Sequence, residues 1–185
     1  LEQLAAGLRD LHRLQADWMD FDWPAFVRHK ADTSLELQRS EGGNPEWLES
    51  LPRFIDENLA LLPVVSRPSF MHGDVHFGNI RVSRKNGRLR ITGLFDFADS
   101  LKGFHEYEFI AVGVLMIQGQ GDLQREFFRM YGYKDSEIDE TLRRRMMLLT
   151  IFYEWSSLRR YAERLRPEAV TYTLEELERA IWRFV

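Results

Sequence analysis

The chain has 185 residues, a formal net charge of -4 and no cysteine. That length can bury roughly two thirds or more of the unfolded surface, and the small negative charge excludes a general electrostatic pull toward nucleic acid or an anionic membrane. Disulfides and thiolate metal sites are excluded; a soluble, cytoplasmic protein is expected, because no apolar run approaches the roughly 18 residues that cross a bilayer and no secretion signal opens the chain.

Leu1, Leu4, Ala5, Leu8, Leu11 and Leu14 fall on one helical stripe, so the chain opens on an amphipathic helix. The aromatic and acidic run from Trp18 to Trp23 leads to Pro24, which opens a helix at about Ala25 that reaches Ser40, where Glu41-Gly42-Gly43 ends it. Asn44 and Pro45 read as the cap and first-turn proline of the next helix. Pro52 breaks a helix interior, so Ser50 is expected to cap a fresh start, with Phe54, Ile55, Asn58, Leu59 and Leu62 continuing the apolar face. Pro63 and Pro68 bracket a loop, and Phe70-Met71 makes a short buried approach to the next segment.

That segment is Met71-His72-Gly73-Asp74-Val75-His76-Phe77-Gly78-Asn79-Ile80, followed later by Leu94-Phe95-Asp96-Phe97-Ala98-Asp99. Between them, two alternating runs, Arg81-Val82-Ser83 and Arg88-Leu89-Arg90-Ile91-Thr92, are joined through Lys85-Asn86-Gly87, and Asn-Gly between such runs is a strong hairpin signal. An antiparallel ribbon returns to its starting point, so positions about twenty apart meet at one end of it. Asp74, Asn79 and Asp96 are thereby expected to converge. Phosphoryl transfer needs that inventory: a carboxylate to accept a hydroxyl proton, and oxygen ligands for the magnesium that neutralises the phosphates.

The order Asp, four residues, Asn, hairpin, Asp is that of the protein-kinase catalytic loop and its metal-binding Asp. With His72, Gly73, Asp74, His76 and Asn79 in the pattern HGDxHxxN, the chain resembles the aminoglycoside phosphotransferase and choline kinase superfamily. The resemblance implies a mainly α (α+β) fold, the large C-terminal lobe of a kinase-like enzyme. It spans residues 1–185 as a single domain, with the catalytic loop at 70–80, the hairpin at 80–95 and the metal-binding Asp segment at 94–99. It implies Asp74 as the catalytic base, His76 near the transferred phosphate, and Asn79 and Asp96 as ligands of Mg2+ and the ATP or GTP donor. His72 and Gly73 would hold the loop in shape. Glu108 stands where the family carries an Asp, one methylene longer, and would anchor the loop from below; Phe104 and His105 depart from the Gly-Asp-Pro of the family. No glycine-rich phosphate loop and no strand Lys occurs in this sequence, so a separate small nucleotide lobe is the expected partner, without which these 185 residues would turn over nothing. The acceptor would be a small hydroxylated molecule such as an aminoglycoside or a related amine or sugar.

Past the motif, Phe109 to Ile117 is apolar all round and reads as a central helix, with Gln118-Gly119-Gln120-Gly121 as the loop that ends it. Asp122 is expected to cap a short helix from Leu123 to Tyr131. Ser136 and Asp139 cap a long helix ending near Arg166-Pro167, with Ile138, Leu142, Met146, Leu149 and Phe152 or Tyr153 as its buried stripe. Arg143-Arg144-Arg145 reads as a solvated face. Thr173 and Glu176 form a capping box for a last helix facing inward with Leu174, Leu177, Ile181 and Phe184. Glu154, set within Phe152-Tyr153-Glu154-Trp155, is the carboxylate expected to meet a cationic acceptor. Asp99 either faces the acceptor or caps the next segment. Two other classes stay open: a non-catalytic binding or regulatory lobe, and a metal-dependent hydrolase using His72, Asp74 and His76 along one face of an extended segment.

Overall fold

A computed structural model describes residues 1–14 and 16–185. The first helix, α1 (Glu2–Leu11), buries Leu4, Ala5 and Leu8, whereas Leu1 and Leu14 at the ends of the expected stripe are exposed. Helix α2 (Trp23–Ser40) is capped by Asp22, which accepts from the Ala25 N–H, and α3 (Pro45–Asn58) by Asn44, which accepts from the Trp47 N–H at 2.9 Å. Each such cap is worth about 1 kcal/mol. The expected break at Ser50 does not occur: α3 runs through Pro52, and the Ser50 hydroxyl donates to Glu46 at 2.8 Å. A proline costs a helix interior about 3 kcal/mol. Trp47, Leu51, Phe54 and Ile55 are buried on the same helix. At about 1.5–3 kcal/mol for each large apolar side chain, they outweigh the lost bond.

Among the described residues four strands follow in a nested order. β1 (Ser69–Met71) pairs antiparallel with β4 (Leu101–Gly103), and between them β2 (Ile80–Lys85) pairs antiparallel with β3 (Arg88–Leu94). Asn86 and Gly87 both have positive φ (52° and 76°), as the tight hairpin turn requires. Thr92 is an extra residue opposite Arg81 and Val82, and its hydroxyl donates to the Arg81 carbonyl. Because one ladder is nested in the other, segment 72–79 and segment 95–100 must lie side by side. The amide of Gln3 joins α1 to the ribbon, donating to the Leu89 carbonyl at 3.2 Å and accepting from the Ile91 N–H at 3.0 Å.

The apolar run after the strands is helical, beginning as α4 (Phe109–Ala111) and continuing as a π-helical segment, Val112–Ile117, which ends in a left-handed turn at Gln118 and Gly119. α5 (Gly121–Tyr131) starts earlier than expected, so Asp122 lies in its first turn and is not its cap. Asp139 caps α6 (Glu140–Phe152), which packs against α2, α3, α4 and the final helix and is buried on every side from Met146 to Phe152. The long helix expected to reach Arg166 is two helices, α6 and α7 (Leu158–Leu165). The break is held by Gln38, whose side chain accepts from the Leu158 N–H at 2.9 Å and donates to the Ser156 hydroxyl at 2.9 Å, while Ser157 caps α7. The last helix, α8 (Leu174–Ile181), carries the expected capping box.

The arginine run is not a solvated face. Arg143 is buried between Glu140 and Glu178, and Arg145 makes a two-pronged contact to buried Glu106 at 2.5 and 2.7 Å. Among the described residues no helix is long and apolar enough to cross a membrane.

Candidate active site

The loop from His72 to Asn79 is held from beneath by Glu108. This carboxylate is 1% exposed and accepts from the His72 N–H at 2.6 Å and the Gly73 N–H at 3.0 Å, with His12 Nε2 at 3.6 Å. His72 is fully buried. Its Nδ1 accepts from the Asp74 N–H at 3.2 Å, so the proton lies on Nε2, which donates to the Phe95 carbonyl at 2.9 Å. Both ring nitrogens are used, so His72 is no ligand of a His-Asp-His metal site. Among the described residues no group of three or more His, Cys, Asp or Glu side chains could hold a metal ion. Gly73 has a φ of 87°, and a Cβ there would lie 2.1 Å from the Asp99 carbonyl oxygen, so only glycine lets the loop and the 95–100 segment approach this closely.

The Asp74 carboxylate is held on both oxygens. Oδ1 accepts from the Tyr153 hydroxyl at 3.1 Å. Oδ2 faces the Asn79 amide nitrogen at 3.3 Å and His76 Nε2 at 3.2 Å. The same Asn79 nitrogen donates to the Asp74 carbonyl at 2.9 Å, which fixes the amide orientation and turns Asn79 Oδ1 away from Asp74. His76 Nδ1 accepts from the Gly78 N–H at 2.9 Å, so its Nε2, 3.2 Å from Asp74 Oδ2, is the ring nitrogen that carries the proton. Tyr153 was read in the sequence only as a core position. Burial first, and then the Asp74 charge, push its ionisation far up, so it stays a donor.

Asp96 stands across from this loop, exposed, at φ 66° and ψ 66°. A left-handed backbone at a non-glycine residue is sparsely populated and persists only where its surroundings impose it. Here Phe95 is fixed on both sides of its peptide, its N–H donating to the Asn79 carbonyl at 3.1 Å and its carbonyl accepting from His72. Phe97 packs its ring 4.5 Å from that of His72. The nested ladders thus bring Asp74, Asn79 and the Asp96 segment together. The exposed Asp96 carboxylate and the Asn79 side-chain oxygen are hard oxygen donors of the kind Mg2+ takes, one or two protein groups completed by phosphates and water. Asp99 is exposed, and its backbone carbonyl lies against Gly73.

Glu154 is neither within a helix nor buried. It lies in the break between α6 and α7, half exposed, and its carboxylate meets the buried Lys30 ammonium at 2.6 Å. A neighbouring polar cluster lies beside the loop anchor: Tyr133 donates to Glu106 at 2.6 Å, and His105 Nε2 faces the Tyr133 hydroxyl at 3.2 Å. Burial, with the charges of His12 and Arg145 adding to it, lowers the His105 pKa to about 4.

The loop is tightened by glycine, carries one carboxylate held by its neighbours, and lies beside the exposed Asp96. The model of the phosphotransferase enzyme family matches residues 1–149, and the chain belongs to that family. The match runs from α1 to near the end of α6 and leaves Tyr153 and Glu154 outside. No curated protein matches the chain.

Proposed function

We propose that this phosphotransferase moves the γ-phosphoryl group of ATP or GTP to a hydroxyl of a small polar acceptor, with Asp74 as the base. The single observation that supports this is the Asp74 carboxylate, bonded by the Asn79 amide nitrogen on a loop that the nested ladders lay beside the Asp96 segment. The acceptor hydroxyl gives its proton to Asp74 as its oxygen bonds to the γ-phosphorus. The bond from that phosphorus to the bridging oxygen breaks, and its electron pair leaves with the nucleoside diphosphate. Asn79 and Asp96 would hold Mg2+, which supplies neutralisation of the phosphate charge. Asn79 and His76 lie against one oxygen of the Asp74 carboxylate, and His72, Gly73 and Glu108 keep the loop beneath it in place.

The phosphate grip itself is assigned to a separate nucleotide lobe, and the acceptor is a hydroxylated amine or sugar. The test is a screen of the full protein with magnesium-ATP against a panel of such compounds, repeated with Asp74→Asn and Asp96→Asn. Asp74→Asn should lower turnover by about 10²–10⁴-fold with nucleotide affinity kept, since a proton acceptor is lost and no ligand. Asp96→Asn should instead weaken magnesium-nucleotide binding. Turnover by both variants equal to that of the parent would dismiss the assignment.

A further inference from the structure

We propose that Tyr153 is the positioning residue of Asp74: its hydroxyl fixes which carboxylate oxygen faces the acceptor. This rests on the phosphotransferase reading above and adds a group from outside the segment that the family match covers.

Tyr153 is the residue on which α6 ends, with φ -59° and ψ 139°. The change from helical to extended backbone swings its side chain out of the helical path and across to the loop. The ring is 1% exposed and packs 5.6 Å from the ring of Tyr107. Tyr107 in turn accepts from the Glu154 N–H at 2.8 Å, so the peptide that follows Tyr153 is pinned as well. The hydroxyl then has one proton for two acceptors, Asp74 Oδ1 and the Gly73 carbonyl, each at 3.1 Å.

The geometry at Asp74 decides what this contact does. Oδ2 accepts from the Asn79 amide and has His76 Nε2 at 3.2 Å. A carboxylate oxygen has about two lone-pair sites, so Oδ1 keeps one after the Tyr153 bond. That site is where an acceptor hydroxyl can bond. Without the phenol, the carboxylate can turn about its Cβ–Cγ bond, and the acceptor oxygen loses its line to the phosphorus. Misplacement by about 1 Å can cost about 10²-fold in rate. Tyr153, by contrast, is 1% exposed and offers a nucleotide almost no surface to touch.

Tyr153→Phe keeps the ring and therefore the packing, and removes only the hydroxyl. Two readouts are taken on the full protein. The first is a thermal double-mutant cycle with Asp74→Ala. The Tyr153→Phe loss is expected to be about 2–4 °C in the parent and clearly smaller once Asp74 is gone, because the partner is then absent. The second is steady-state kinetics with magnesium-ATP and whichever acceptor the screen returns. There kcat is expected to fall at least tenfold with KM for ATP within about twofold. Additive losses in the cycle overturn the proposal, since the hydroxyl then serves the Gly73 carbonyl alone. An unchanged kcat, or a loss confined to KM for ATP, overturns it too. A protein that phosphorylates nothing but shows a non-additive cycle refutes the phosphotransferase acceptor class and sustains the Tyr153–Asp74 contact.

Discussion

Removal of the Glu108 carboxylate should cost more stability than any other single change at the loop surface, because two backbone N–H groups depend on it. In the parent, the His72 and Gly73 amides donate to it at 2.6 and 3.0 Å in a setting closed to water. Glu108→Ala leaves both donors without a partner, at about 1–3 kcal/mol each, and deletes buried methylenes. A total near 4 kcal/mol corresponds to a Tm lower by roughly 8–16 °C for a chain of this size. Glu108→Gln keeps one acceptor oxygen but sets an NH2 group against the other amide, so about half that loss is expected. Glu108→Asp draws the carboxylate back by one carbon, out of reach of at least one donor. The assays are thermal and urea denaturation together with amide hydrogen exchange at His72 and Gly73. A Glu108→Gln protein within about 0.5 kcal/mol of the parent, with those amides still protected, would refute the idea that the loop hangs on this side chain.

Two further outcomes follow from the same geometry. Gly73→Ala combines a left-handed φ with a Cβ placed 2.1 Å from the Asp99 carbonyl oxygen. It should part the loop from the 95–100 segment and abolish turnover, and a variant with parental activity and Tm would show that the two segments yield cheaply. His105 has its pKa lowered to about 4 by burial, so the unfolded chain takes up this proton first as pH falls. Its contribution to stability is complete above about pH 6.5 and is lost progressively toward pH 4, at most on the order of 3 kcal/mol. His105→Phe should therefore lose less stability than the parent between pH 7 and pH 4, and parallel pH curves in urea denaturation would contradict this.

Local chemistry made much of the architecture legible. Asn86-Gly87 dictated the hairpin turn, Pro24, Asn44, Asp139 and Thr173 declared helix starts, and the spacing of Asp74, Asn79 and Asp96 pointed to one volume. The failures arose where tertiary contacts outweighed local preference. Pro52 stays in α3 because the buried apolar face of that helix outweighs one missing bond. α6 stops at Phe152 because Gln38, more than a hundred positions earlier, satisfies the freed backbone of the break. Nothing in the sequence tells which helix will supply that partner. The same break turns Tyr153 toward Asp74 and sets Glu154 against Lys30, so both escaped a reading based on helical period. Arg143 and Arg145 were misplaced for a related reason: their acidic partners Glu178 and Glu106 lie far away in the chain.

Gln3 has a consequence for the outer edge of the ribbon. Its amide brackets Arg90 by bonding at Leu89 and Ile91, the pattern by which a neighbouring parallel strand would dock. A lone two-stranded ribbon is marginal in water, and an open edge is a template on which another chain can add a strand. One side chain from the first helix therefore occupies the template at its middle. Arg81, Arg84, Lys85, Arg88 and Arg90 line the two strands with a single sign of charge, so a second ribbon of the same kind would be repelled as it approached. The ribbon can then stand out from the body of the protein, nearly bare of apolar cover, and still remain single.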